Sequence, residues 1–289
     1  MSRFLARLVW ALTIALVVVG VTLQVTYRYD RAMLDRLADV LDAGRDSSAE
    51  QRLARYVAYA HEDVRVLRSP ADIRSPLVRL WYRYNPLHPS AADVLRWGAD
   101  YRGSCGSQSN VVVALLQSQG VPSRHLLLFD RGGRSIHDVV EASVGGRWVV
   151  ADPQFGLVFR RPDGWLATAR DLATDKRILH AFADSIPRYA STYTYDSTGN
   201  MNWRKFPVVL PALRTLLVRT IGPERVKRIV RPGLWMWPKA FYSIVCFVLA
   251  ACGALLGLAL GRRARGAGQA PAGAATAASG VGTARGGGT

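Results

Sequence analysis

Thiols and acids are scarce in this chain, and each scarcity removes a class of explanation. Of 289 residues only three are cysteines, Cys105, Cys246 and Cys252. The last two sit in an uncharged apolar run, where cysteine behaves as a small apolar residue. Cys105 is therefore the only thiol between residues 27 and 239, so no disulfide can form within that stretch. Acidic residues number 21 against 38 basic ones, and none lies outside residues 27–239. The central stretch thus carries a net charge of +11, which concentrates anionic partners: lipid headgroups, acidic polysaccharide or wall polymer. A Walker phosphate loop, a Gly-x-Ser-x-Gly elbow and a His-Glu-x-x-His zinc signature are all missing. His61, His88, His125 and His180 lack ligand spacing, so no metal and no other cofactor is expected.

Long apolar runs are present. Leu8 to Thr26 is uncharged, long enough to span a bilayer, and followed by no Ala-x-Ala cleavage pattern, which reads as an uncleaved anchor. Ala240 to Leu260 is a second such run, entered through an aromatic belt of Trp235, Trp237, Phe241 and Tyr242. Two spans put both termini on one side and residues 27–239 on the other, and they argue against nucleic acid as a partner. Arg3, Arg7, Arg262, Arg263 and Arg265 favour cytoplasmic termini, while the basic flank from Arg225 to Lys239 pulls the other way. Long domains translocate largely regardless of charge, so the short termini decide. The expected location is the cytoplasmic (inner) membrane, with the domain on the extracytoplasmic side.

Periodicity divides the rest. Met33, Leu34, Leu37, Val40 and Leu41 form a helical stripe that Gly44 stops. Ser47 with Glu50 predicts a capping box for a second helix through about Leu67. A further helix is predicted from Asp171 to Asp184. Residues 202–239 mix basic and apolar side chains, as in a membrane-surface segment or an amphipathic helix closing the domain. After Arg265 the chain is Gly, Ala, Ser and Thr without period, a disordered tail. The expected organisation is an anchor over 1–26, a helical stalk or pair over 27–75 and a core over 76–184. A basic membrane-proximal extension over 185–239, a second transmembrane helix over 240–261 and a disordered cytoplasmic tail over 262–289 complete it.

The chemistry gathers in the core. Gly103-Ser104-Cys105-Gly106-Ser107-Gln108 leads into the apolar run Val111 to Leu116, a buried helix ended by Gly120 and Pro122. Ser104 is placed to cap it, and a thiol in the first turn sits in the positive end of the macrodipole. His137 opens a strand to Glu141, Gly145-Gly146 is a two-residue hairpin turn, and Arg147 to Asp152 returns before Pro153. A turn centred there pairs Val144 with Arg147 and Val139 with Asp152, which makes His137 and Asp152 diagonal neighbours on one face. A carboxylate can then orient an imidazole whose other nitrogen faces the sulfur. Tyr101, four residues before Cys105, is a candidate for lining the cleft, holding an oxyanion or packing a hinge, and Glu141, on His137's side of its strand, for a second polar cleft group or, ahead of that, a surface charge at the hairpin end. The sheet is antiparallel, fed by hairpins, with the cysteine helix on one face, an α+β architecture.

In order and spacing these residues resemble the transglutaminase-like superfamily, of bacterial membrane-anchored type. The resemblance runs from near Pro89 to near Gly164 and rests on Ser90 to Leu95, Gly103-Ser104-Cys105, Gly120 to Arg124, His137 to Glu141 and Gly146 to Pro153. It implies a papain-type Cys-His-Asp triad of Cys105, His137 and Asp152 acting through a thioester on amide or isopeptide bonds of a peptide or other amide-bearing substrate. Asp138 after the histidine and Gly106 after the cysteine depart from the family's usual residues, leaving the triad intact but weighing against protein cross-linking. Hydrolysis is therefore expected ahead of it. An arylamine N-acetyltransferase-like activity shares the triad order, though nothing here suggests a coenzyme A site. The alternative from another class is a non-catalytic module of this fold that binds a peptide or anionic polymer at the membrane.

Overall fold

The computed structural model describes residues 2–44, 47–67, 72–73, 75–84, 87, 89–99, 104–182, 186–204, 209–227 and 229–266. It divides into two compact units, one of Gln24–Phe241 and one of Met1–Leu23 with Tyr242–Thr289.

The central unit begins inside α1 (Ser2–Asp42), a single unbroken helix that joins the apolar anchor to the stripe at Leu34 and Leu37. Next comes α2 (Ala49–Glu62). Its capping box is Ser48 with Gln51, one residue later than Ser47 with Glu50. Ser47 has a different role, accepting a 2.9 Å hydrogen bond from Arg55 Nη2. The helix stops at Glu62 rather than Leu67, because Leu67 and Arg65 give their backbone groups to Ala99 instead. Then follow α3 (Pro76–Tyr84), α4 (Ala91–Trp97), N-capped by Ser90, and α5 (Ser104–Ser118), which begins with Ser104 itself.

The sheet is antiparallel, as the hairpin pattern requires. Its strands are β1 (Ser123–Phe129), β2 (Ser135–Val144), β3 (Arg147–Asp152), β4 (Leu157–Val158) and β5 (Thr198–Gly199), in the order β4-β3-β2-β1-β5. Gly145 and Gly146, both at positive φ, make the β2–β3 turn and set Val144 opposite Arg147 and Val140 opposite Ala151. One face packs on α1, α2, α4 and α5 through Val140, Ala142, Val149 and Ala151. The other carries Val139 and Val150 and is covered by α6 (Ala169–Thr174), α7 (Lys176–His180) and α8 (Tyr189–Thr192). The helix expected over 171–184, of which 183–184 lie outside the described residues, is thus two short ones as far as it is described. Asp175 leaves helical geometry to accept the Arg177 N–H as the N-cap of α7. The sheet's edge strand β5 and the covering helix α8 come from beyond residue 184, and α2 from before residue 76.

α5 is buried on nearly every side, and its polar N-terminal half is pegged rather than solvated. Gln108 Nε2 donates to Ala60 O (2.8 Å), Ser109 Oγ to Asp138 O (2.9 Å) and Asn110 Nδ2 to Pro89 O (2.8 Å). These three bonds hold the start of the helix against α2, β2 and the α4 entry. A second polar knot ties α1 to α4. Asp30, 1% exposed, accepts from Arg96 (2.6 Å) and from Lys239 (2.7 Å), and Lys239 also reaches Asp93 (2.7 Å). The unit closes with α9 (Val209–Ile221), α10 (Pro223–Lys227) and a 3-10 turn over Gly233–Met236.

In the other unit the first part of α1 lies against α11 (Pro238–Gly266). Gly253 abuts Thr13 and Gly257 abuts Trp10 so closely that an added Cβ would come within 2.5 Å and 2.9 Å of them, the small-residue contact of packed apolar helices. Phe4–Asp42 and Pro238–Arg263 are long and apolar enough to cross a membrane.

Candidate active site

The site forms at the end of the sheet where β2 begins and β3 ends. His137 shares a face with Val139, while α5 covers the opposite face. The first turn of α5 therefore meets the ring at the sheet's end rather than from above it. Hydrogen-bonding of Ser109 to the Asp138 carbonyl, next to His137, fixes that approach.

Three residues that sequence alone brought together are together here. His137 Nε2 lies 2.6 Å from Asp152 Oδ2, with the two side chains 1% and 0% exposed. Cys105 is close enough to the same imidazole to help raise its pKa, and with Nε2 given to Asp152 the nitrogen left for the sulfur is Nδ1. Both carboxylate oxygens are engaged. Oδ2 also accepts the Tyr189 hydroxyl at 2.7 Å, and Oδ1 accepts the Gln154 N–H at 3.0 Å.

A family comparison covers the stretch that holds Cys105, His137 and Asp152. Residues 43–153 match the transglutaminase-like superfamily.

Over that stretch the chain is similar to transglutaminase-like domains.

The match begins earlier than the motifs themselves and takes in α2, whose Leu53, Tyr56, Val57 and Ala60 are fully buried in the core. A crystal structure of a protein from Cytophaga hutchinsonii, provisionally described as a cysteine protease, is similar over 47% of this chain at 16% identity and a TM-score of 0.32. This chain covers 40% of that one, well under two thirds of its length. No curated protein matches the sequence.

An aromatic cage encloses the histidine. Tyr193 stacks on the His137 ring with centroids 4.1 Å apart and planes 22° apart, and Phe155 and Tyr189 flank it at 5.8 Å and 6.5 Å. Tyr195 backs the cage, its hydroxyl 3.1 Å from that of Tyr189. Burial, then the neighbouring Tyr195 and Asp152, push the Tyr189 pKa far up, so it stays protonated and donates. Sequence reasoning passed over these tyrosines. Their signal was the cluster Tyr189, Tyr193 and Tyr195 within seven residues, whose spacings of four and then two fit no single helix or strand throughout.

Burial alone would lower the His137 pKa, but hydrogen bonds and charge from Asp152 and Cys105 outweigh it and raise it to about 10. The ring is therefore cationic at neutral pH.

The remaining candidates lie elsewhere. Glu141 is on His137's face but four residues along the strand. It is buried rather than a surface charge, accepting from Arg124 Nε at 2.7 Å, while Arg124 stacks on Trp148 at 4.0 Å. Tyr101 lies outside the described residues, as does His88. His125 pairs with Asp138 (2.9 Å) on the opposite face, and His61 Nδ1 contacts Gln154 O (2.9 Å). Among the described residues no cluster of His, Cys, Asp or Glu could hold a metal.

The His137 shift has a consequence for stability. A pKa raised above the ordinary 6.5 gives a stabilisation fully present below about pH 6.5 and lost as pH rises through about 10. Denaturant unfolding at pH 6.5, 8 and 10.5 should show that loss, and Asp152→Asn should flatten it. A loss of equal size in both proteins would place its origin elsewhere.

Proposed function

We propose that the protein is a membrane-anchored thiol enzyme that acts on amide or isopeptide bonds through Cys105, His137 and Asp152. The observation that carries this reading is the single imidazole held between a buried carboxylate and the only thiol of the domain. Transfer of the Cys105 thiol proton to His137 makes the ring cationic and frees Sγ to attack the carbonyl carbon, and the negative charge moves to the carbonyl oxygen. The Cys105 backbone N–H, in the first turn of α5 and without an intrahelical acceptor, supports that oxyanion. Collapse breaks the C–N bond, and the His137 proton goes to the leaving amine, leaving a thioester. His137, now neutral, takes a proton from water as it attacks the thioester; the C–S bond breaks, the ring returns that proton to the sulfur, and the acid and the free thiol result. An amine in place of water would give transfer instead, but hydrolysis is the reading adopted here. Asp152 fixes the ring's tautomer and stabilises its cationic form throughout. Tyr193, stacked on the ring, excludes water from one side of it. An amide-bearing component of the cell envelope, peptide or anionic polymer, fits a basic domain at a membrane surface.

Labelling tests the site without knowledge of the substrate. Iodoacetamide should modify Cys105 quickly near neutral pH, and His137→Ala should slow it at least tenfold. Asp152→Asn should keep the fold and cut turnover by about two to four orders of magnitude, by analogy with mis-set tautomers in triads. Equal, slow labelling of wild type and His137→Ala would leave a non-catalytic binding module.

We also infer that both apolar helices cross the cytoplasmic membrane, with residues 27–239 outside. Only 11% of each apolar window is buried, more bare apolar surface than water tolerates on a helix. Alkaline phosphatase fused after Ser191 should be active and fused after Arg265 inactive. The reverse pattern would move the thiol to the cytoplasm and remove envelope substrates from consideration.

A further inference from the structure

Two partners of the Asp152 carboxylate, His137 and Gln154, lie on the β2–β3 hairpin or just after it. The third, Tyr189, reaches it from α8, 37 positions further on. Its ring is 1% exposed and meets Phe155 edge-on at 5.2 Å, with Phe159 at 5.8 Å, so packing fixes where the hydroxyl points. Phenylalanine would fill the same space. A buried hydroxyl costs free energy unless it is hydrogen-bonded. This one gives its proton to Oδ2, the same oxygen that lies 2.6 Å from His137 Nε2. With that proton committed, the 3.1 Å contact between the two phenols requires Tyr195 to donate to Tyr189. Tyr195 is itself 2% exposed. The triad therefore continues inward as an ordered chain, from Asp152 to Tyr189 to Tyr195.

We propose that Tyr189, backed by Tyr195, is a positioning residue of the triad: its hydroxyl draws charge from Asp152 Oδ2 and so loosens the carboxylate's hold on the His137 proton. The inference rests on the triad chemistry above and adds a residue to it. Donors on a carboxylate favour its ionised form and make it a weaker base. Because Tyr189 and His137 share one oxygen, charge given to the phenol is withheld from the imidazolium. Both halves of the reaction feel this. The ring must surrender a proton to the leaving amine and then take one from water. With one donor fewer on the carboxylate the proton is held more tightly, and hydrolysis of the thioester, which needs the neutral ring, slows most. Tyr195 acts through Tyr189, since a phenol that accepts a hydrogen bond donates a stronger one. Each tyrosine keeps its own proton throughout the cycle.

The test is a nitrogen NMR titration of His137 in full-length, histidine-labelled protein, compared between wild type, Tyr189→Phe and Tyr195→Phe. Tyr189→Phe should raise the pH of half-protonation by roughly one unit, the scale of one hydrogen bond to a charged group. Tyr195→Phe should raise it by less. At pH 8 the proton on Nε2 should move downfield in Tyr189→Phe, as its bond to Asp152 strengthens. If Tyr189→Phe fails to fold, Tyr195→Phe, which leaves the Asp152 contact in place, should still show an upward shift. An unchanged or lowered titration in the folded variants overturns the proposal and leaves the phenols as packing. Failure of the triad reading itself looks different: wild-type Cys105 would alkylate slowly, and no faster than in His137→Ala, whatever the tyrosine variants show.

Discussion

Everything at the active-site end of this fold depends on burying the Asp152 carboxylate. A fully enclosed carboxylate is tolerable only when it is paired and hydrogen-bonded, because an unpaired buried charge costs several kcal/mol. Here the imidazolium of His137, the phenol of Tyr189 and the backbone N–H of Gln154 meet it. Truncating one partner of such a pair costs roughly 3–5 kcal/mol, whereas the isosteric Asp152→Asn keeps hydrogen-bonding groups in the same place. The same carboxylate outweighs the burial that would otherwise strip His137 of its proton.

The scaffold delivers the other groups to that point by two separate means. The two-glycine turn sets the β2–β3 register, and register alone decides that His137 and Asp152 share a face; a slip of one residue would part them. The sulfur arrives on a helix from the opposite layer. Side-chain bonds from Gln108, Ser109 and Asn110 to backbone carbonyls on three other elements hold that helix at its reactive end. Polar residues are therefore concentrated in the half of α5 nearest the chemistry, and the apolar run from Val111 to Leu116 supplies the burial.

How far the sequence could be read depended on whether a feature was local. The hairpin register was legible because Gly145-Gly146 admits one favoured turn, and with it the His137–Asp152 pairing. The helix cap was legible only to within one residue, since Ser47 and Ser48 offer the same chemistry and Arg55 decides between them. The helix over 171–184 looked continuous because the interruption is a side-chain capture of one backbone N–H by Asp175. Glu141 was assigned to the right face, but its burial depends on Arg124 across the strand pair and Asn200 from a distant segment. The tyrosines around His137 come from still further along the chain, and nothing in local pattern announces a ring that stacks on another 56 positions away. Long-range polar partners were the illegible part.

The central claim is that a buried carboxylate holds His137 as a cation beside Cys105. The most direct measurement is the titration of the His137 imidazole by nitrogen NMR, in full-length protein labelled at histidine and assigned by His137→Gln. The account predicts a ring protonated at pH 8 that titrates near 10. A ring that is neutral at pH 8 and titrates near the ordinary 6.5 would contradict it.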